Sequence, residues 1–323
     1  MKVSVIIPTF NRPKPLTKTL DALTDQTFPH DQFEVIVVDD GSTKSLVPIK
    51  KRTDPFSLHV VHQQNSGATI ARNYGASKSS GEFLIFMDDD IRLLPNTLAR
   101  LIEVLSNSTR SIVMGALVLP VELQTTAFSK LQSGHVVDSA VQLVHWSETM
   151  TGLLAIRAAD FVTIDQFHDP TGGWPNWDDV DFGYRSDAAG FKLLRCHDAV
   201  AEHWDYSIAD VDEMGRRYHR AAQSAVRLFQ SYPRMVGAIP MFDDKLPITW
   251  RQDSWKLIAR KLIRPISSTN LVMSLIRLLL HFCETLLPSP RILTPLYRWI
   301  IGSYIYTGYR TALREASTSI RTL

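Results

Sequence analysis

The sequence predicts an α/β fold, a mostly parallel sheet flanked by helices, followed by a helical C-terminal extension. Three observations lead there. Short apolar runs alternate with segments of helical spacing from Val3 to Val118. Three of those runs end in polar clusters, Thr9-Phe10-Asn11, Asp39-Asp40 and Asp88-Asp89-Asp90, as at the carboxyl edge of a parallel sheet where ligands bind. Charge is unevenly divided: from Lys245 onward 12 Lys and Arg stand against 3 Asp and Glu, leaving 23 against 30 in the rest.

Val3-Ser4-Val5-Ile6-Ile7 is a run of the kind buried on both faces of a sheet, and Pro8-Thr9-Phe10-Asn11-Arg12-Pro13 breaks it. Leu16, Leu20 and Leu23 then recur at helical spacing. Phe33 to Val38 is a second strand, closed by Asp39-Asp40-Gly41-Ser42, and Leu58 to Val61 a third. Thr69 to Ser79 reads as a helix and Phe83 to Met87 as the fourth strand. Pro95 to Leu105 is a helix with proline in its first turn, and Ser111 to Val118 is another strand. Further on, Leu153 to Ile156 is a strand and Thr171 to Trp177 a loop with two tryptophans. Asp178 to Ala189 is a helix ended by Gly190, and 193–196 and 199–203 are two short extended pieces. A helix covers Val211 to Tyr232, and Pro240 to Pro247 marks a boundary.

Composition narrows the class. At 323 residues, 45% hydrophobic and 21% charged, the chain is neither disordered, collagen-like nor a simple coiled coil. Its two cysteines, Cys196 and Cys283, exclude a disulfide framework and any multi-cysteine zinc site. No signal peptide reads from the first residues. The most apolar tail run, Leu271 to Leu287, contains Arg277, His281 and Glu284 and is too short and charged for a membrane span.

Asp88-Asp89-Asp90 is the sharpest chemical signal. Adjacent carboxylates raise one another's pKa unless a cation lies near, and carboxylate oxygens suit magnesium or manganese. A solvated turn explains the run equally well. Asp39-Asp40-Gly41-Ser42 offers a carboxylate to a base or sugar, or forms an Asx turn. In Trp177-Asp178-Asp179-Val180-Asp181-Phe182-Gly183-Tyr184-Arg185, helical spacing puts Asp178 and Asp181 on one face with Arg185 and leaves Asp179 for a substrate. A helix start enriched in Asp is the plainer reading. His203 is either a metal ligand or a satisfied core histidine.

Taken in order, Val3 to Arg12, Val37 to Ser42, Asn65-Ser66-Gly67 with Ala71-Arg72-Asn73, Gly81 to Asp90 and Trp177 to Arg185 resemble the motifs of family 2 glycosyltransferases. These are inverting, nucleotide-sugar-dependent enzymes of the GT-A fold, and the likeness covers residues 1 to about 205. It implies a catalytic domain over 1–240, with a nucleotide-sugar-binding half (1–118) and an acceptor half (119–240), then a basic amphipathic helical region (241–323). By position, Pro8, Thr9, Asn11, Arg12, Asp39, Asp40, Arg72, Asp88 and Asp89 would line the nucleotide-sugar site. Asp88, Asp90 and His203 would hold a divalent metal, Mn2+ or Mg2+, and Asp179 would be the catalytic base. Trp174, Trp177 and Asp178 would meet the acceptor, and Met150 to Arg157 would line the sugar and acceptor pocket. Asp178 stands where the family commonly has Glu.

The resemblance favours a UDP-sugar donor, with GDP and dTDP open, and a glycan or lipid-linked acceptor of polysaccharide or glycolipid biosynthesis. Lys and Arg interleaved with Trp and Leu after residue 245 fit peripheral membrane contact, or else a helical subdomain that packs on the core or forms a dimer. The expected location is therefore cytoplasmic, at the inner face of the membrane. Two other classes compete. A nucleotidyltransferase would carry a Gly-rich loop after the first strand, where Pro8 to Pro13 has no glycine. A non-catalytic nucleotide-sugar-binding protein would not need Asp90, Asp179 and His203 together. Nucleic-acid binding is not expected, for no recognisable module is present.

Overall fold

The structure is a computed structural model that describes residues 2–133, 141–172 and 177–321, with side chains to residue 316. The strands are β1 (Val3–Thr9), β2 (Phe33–Asp40), β3 (Ser57–Gln63), β4 (Phe83–Met87), β5 (Ile91–Leu93), β6 (Ser111–Val118), β7 (Val141–Leu143), β8 (Leu153–Arg157) and β9 (Lys192–His203). They form one sheet in the order β3-β2-β1-β4-β8-β6-β9-β5, with β7 also on β9. The β3-β2-β1-β4 half is parallel throughout, as the alternating pattern requires. Beyond β4 the sheet is mixed. β8 runs antiparallel to β4 and β6, and β9 runs parallel to β6 but antiparallel to β5 and β7.

Helices α1 (Pro13–Thr24), α2 (Val47–Lys50), α3 (Ala68–Ser77), α4 (Thr97–Ser106), α6 (Ala158–Thr163) and α7 (Asp178–Ala188) accompany the sheet, whereas α5 (Ala127–Leu131) belongs to the second of two compact units. Strand residues alternate faces, so Val3, Val5, Ile7, Val35, Val37, Ile85 and Met87 share one core with Leu16, Leu20 and Leu23 of α1 and Leu98, Leu101 and Leu105 of α4. On the other face α3 approaches closely at Gly75, where a Cβ would lie 2.5 Å from Ile6 Cγ2. Phe86, Phe161, Phe167 and Phe182 stack there, with centroids 4.6 to 5.8 Å apart.

Three points differ from expectation. The extended pieces 193–196 and 199–203 are one strand, β9, interrupted where its register against β6 slips between Gly115 and Ala116. The helix expected from Pro95 begins at Thr97, because Thr97 N–H bonds back to Leu94 O and makes Pro95-Asn96 a turn. The three-residue strands β5 and β7 are too short to leave a periodic signal.

The chain divides into two compact units. The first is Met1–Pro120, Gly134–Asp169 and Asp178–Asp205; the second is Val121–Ser133, Pro170–Trp177 and Tyr206–Leu323. The second contains α8 (Val211–Ser231), α9 (Trp255–Ser267), α10 (Asn270–Leu286) and α11 (Pro290–Arg321). Helix α8 starts on Asp210, whose side chain accepts from Asp212 and Glu213 N–H. It packs against α11 at two glycines, Gly215 under the Tyr304 ring and Gly308 against the His219 carbonyl. A buried Asp244–Arg264 pair ties the 240–245 turn to α9.

Candidate active site

The carboxyl ends of β2, β1 and β4 are neighbours, and the polar clusters predicted there meet. Asn11 takes the left-handed conformation (φ +59). That turns its side chain so that Oδ1 accepts from Thr43 N–H, Thr43 Oγ1 and Lys44 N–H at 2.8 to 3.0 Å, locking the β1 loop to the β2 loop. Pro8 and Thr9 are buried at the end of β1. Thr9 Oγ1 donates to Asp89 Oδ2 at 2.7 Å. Arg12, 43% exposed, places Nη1 on Asp89 Oδ1 at 2.8 Å and Nη2 on Asp90 Oδ2 at 2.7 Å. It is thus the counter-ion for two of the three adjacent carboxylates. Burial still pushes Asp89 up to about 7, against the pull of Arg12.

Asp39 and Asp40 are buried. Burial works against the charge of Asp39, yet hydrogen bonds from Ser42 and His62 outweigh it, so its carboxyl lies below the ordinary range. Asp40 accepts from Gln63 Nε2, Ser66 N–H and Gly67 N–H at 2.7 to 2.9 Å. It braces the loop that leads into α3, whose Gly67 takes φ +89.

Arg72, on α3, is the connection that sequence reading missed. In the structure it is buried, with Nη2 on Asp88 Oδ1 at 2.8 Å and Nη1 on Asp178 Oδ2 at 2.9 Å. Thr69 Oγ1, one turn earlier, also donates to Asp178 at 3.0 Å. The signal was there: Thr69 and Arg72 are three apart and share one face of a helix. Asp178 therefore pairs with Arg72 and not with Arg185. Arg185 instead holds Asp181 through Nε and Nη2 (2.9 and 2.8 Å) and donates to the carbonyls of Ile164 and Gln166.

Asp179 is half-buried at the start of α7, with Oδ1 accepting Val180 N–H at 2.7 Å. Burial first, and the neighbouring Asp178 charge second, push its carboxyl up to about 7. A group that ionises there can exchange protons near neutrality. Helix α7 is held against the turn 146–149 by Gly183, whose added Cβ would lie 2.5 Å from Trp146 O and 2.1 Å from Thr149 Oγ1. A backbone carbonyl cannot retreat. Gly183→Ala should cost about 1–3 kcal/mol, read as a lower urea midpoint; an unchanged midpoint would show that α7 can shift.

Pairing of β5 with β9 sets Ile91 opposite His203, which brings His203 Nε2 to 3.6 Å from Asp90 Oδ1. That oxygen is buried and has no hydrogen-bond partner. An orphaned carboxylate oxygen facing an imidazole suits a divalent cation on that edge, while Arg12 occupies the other. Among the described residues no group of three His, Cys, Asp or Glu is gathered into a metal site. In the segment 150–157, Gly152 lies beside the acidic run and its carbonyl accepts Asp88 N–H at 3.3 Å. In the second unit, the Trp177 indole N–H donates to Ala221 O and Ser224 Oγ, and its ring lies 6.0 Å from that of Phe242. Trp174 lies outside the described residues.

A parallel half-sheet ending in Asp-rich loops, continued by antiparallel strands and an acidic helix start, is the GT-A fold of nucleotide-sugar transferases. Residues 4–134 match the model of glycosyl transferase family 2. It is 29% identical over 206 residues to glycosyltransferase AglE of Haloferax volcanii, covering 62% of this chain and 66% of that protein. It is 39% identical over 101 residues to the poly(ribitol-phosphate) beta-N-acetylglucosaminyltransferase TarS of Staphylococcus aureus, covering 30% of this chain and 18% of that one. The matches span two thirds or less of these relatives. Mannosyltransferase PcManGT from Pyrobaculum calidifontis, solved with GDP-Man and Mn2+, shares the fold at TM-score 0.62 and 16% identity, over 94% of this chain and 86% of that one. TarS with UDP does so at TM-score 0.53 and 19% identity, over 99% and 92%.

Proposed function

We propose that the protein is an inverting, metal-dependent glycosyltransferase that moves a hexosyl group from a UDP-linked sugar to an acceptor hydroxyl. The observation that carries this reading is Asp179: a half-buried carboxylate with its pKa raised to about 7, in the same unit as the Asp88–Asp90 run. Asp179 takes the proton of the acceptor hydroxyl. The freed oxygen attacks the anomeric carbon, and the nucleoside diphosphate leaves from the opposite face, so the centre inverts. When bound, manganese or magnesium at Asp90, His203 and Asp88 supplies positive charge against the departing diphosphate. Asp39, Asp40, Asn11 and Thr9 shape the loops that receive the nucleotide, and Arg12 and Arg72 bring cationic charge to the same edge. Asp178, Trp177 and Trp174 belong to the acceptor side.

Two of the solved neighbours hold GDP-Man with Mn2+ and UDP, which supports the donor class. We place the reaction in polysaccharide or glycolipid synthesis on a glycan or lipid-linked acceptor. We place it on the cytoplasmic side, with the C-terminal region touching the membrane. The test is donor binding and hydrolysis across UDP-, GDP- and dTDP-sugars with Mn2+ or Mg2+. Metal-dependent turnover of one donor is the expected result. Failure to bind any nucleotide sugar would overturn the reading.

A further inference from the structure

We propose that the outer face of α9 and α10 docks on the surface of an anionic bilayer, with α10 lying flat in the interface. The proposal deepens the membrane contact suggested above by naming the face and the lipid charge it reads, and it rests on that reading. Helix α10 is apolar on two sides. Met273, Leu280 and Cys283 are buried with Phe128, Leu293, Tyr297 and Ile300. Along the opposite side Leu271, Leu275, Leu278, Phe282 and Leu286 form a second stripe at steps of four, three, four and four, each between 52% and 74% exposed. A single exposed leucine needs no explanation; five in register along a whole helix do.

Helix α9 carries an exposed apolar side of its own. Trp255, Leu262 and Ile266 lie on one side of it, 55% to 74% exposed. Lys256 and Arg260 are exposed at the flank of that side, and Arg251 precedes it. From Trp255 to Leu286 the sole acidic residue is Glu284, and it is half-buried, accepting from the Tyr297 hydroxyl. An apolar stripe rimmed by cations and free of exposed carboxylates is complementary to a bilayer with anionic headgroups. A two-fold contact between copies would instead bring like-charged rims together.

The same helices are held from within. Arg264 of α9 is buried on Asp244, with its guanidinium 4.3 Å from the Trp299 ring. The inner stripe of α10 belongs to the core. No single described helix is long and apolar enough to cross a membrane; α9 and α10 together pass that test but bend by 101°. Threading the pair through a bilayer would strip both the Asp244–Arg264 pair and the inner stripe from their partners. Lying flat costs neither.

The test uses the full chain and sedimentation with vesicles of phosphatidylcholine alone or with a quarter phosphatidylglycerol. The parent should bind the anionic vesicles at least ~10-fold more tightly and release them at high salt. Leu275→Glu/Leu278→Glu/Phe282→Glu should abolish binding, and Lys256→Glu/Arg260→Glu should erase the preference for anionic lipid. All five positions are exposed or rim residues, so melting temperature and nucleotide binding should hold, which separates this outcome from failure of the donor reading. The proposal is overturned if the triple variant sediments like the parent, or if both vesicles bind equally. It is also overturned if the parent ignores vesicles while forming a dimer that the triple variant dissolves.

Discussion

Asp179→Asn is expected to lower the transfer rate by about 10²–10⁴-fold while leaving donor affinity within a few-fold of the parent. The substitution keeps the shape of the side chain and the bond from Val180 N–H. It removes only the ability to take a proton. With the parent carboxyl at about 7, the transfer rate should climb with pH through neutrality and level off above it. Stability moves the other way. The folded-state value lies above the ordinary carboxylate value, so between about pH 4 and 7 the folded chain holds a proton that the unfolded chain has released. Each step upward in that window costs stability. Asparagine does not titrate, so the variant should be the more stable of the two above pH ~7, by about 1–3 kcal/mol, and lose that advantage towards pH 4. A variant with near-parental turnover would remove Asp179 from the chemistry. A variant with parental stability at every pH would show that the carboxyl ionises near its usual value.

Arg72→Met should be the most destabilising single change in this edge of the sheet. The guanidinium is buried and spans Asp88 and Asp178; without it two carboxylates remain, one of them deep in the fold. Breaking such a pair from one side costs about 3–5 kcal/mol, since the abandoned charge has no water to return to. Burial already raises the Asp178 carboxyl, with Arg72 and Thr69 pulling it down, so the variant should raise it further. Adding Asp178→Asn should therefore recover part of the loss. Arg72→Lys should recover less, because one ammonium cannot reach both partners with the geometry of a planar fork. Urea midpoints of the three variants decide it. An Arg72→Met midpoint equal to the parent would mean that the bridge is not formed in solution.

The legible part of this molecule is whatever the chain repeats locally. Apolar runs at β1, β2 and β4 and the polar clusters after them place one sheet edge without any knowledge of partners. The acidic start of α7 reads directly as well. What the sequence hides is pairing over distance. Arg12 meets acids almost eighty positions away, and Arg72 joins two carboxylates that lie 16 and 106 positions further along the chain. Nothing periodic marks either contact. Strand direction is equally silent, since Leu153 to Ile156 would read the same in a parallel or antiparallel neighbour. In the tail, amphipathic character is visible, but only the structure separates the inner stripe of α10 from the outer one. Pro265 and Pro295 sit inside helices that a strict reading would have ended there.

The division into two units has a consequence for how such a protein can change. The backbone passes from one unit to the other five times, at 120/121, 133/134, 169/170, 177/178 and 205/206. A module attached by one linker can be gained, lost or exchanged in a single genetic event. This one cannot. Cutting after Asp205 would leave Phe128 without Tyr297, and Trp177 without the carbonyl and hydroxyl its indole binds. A truncation at that point would therefore not remove one unit cleanly, because the second unit also draws on Val121–Ser133 and Pro170–Trp177.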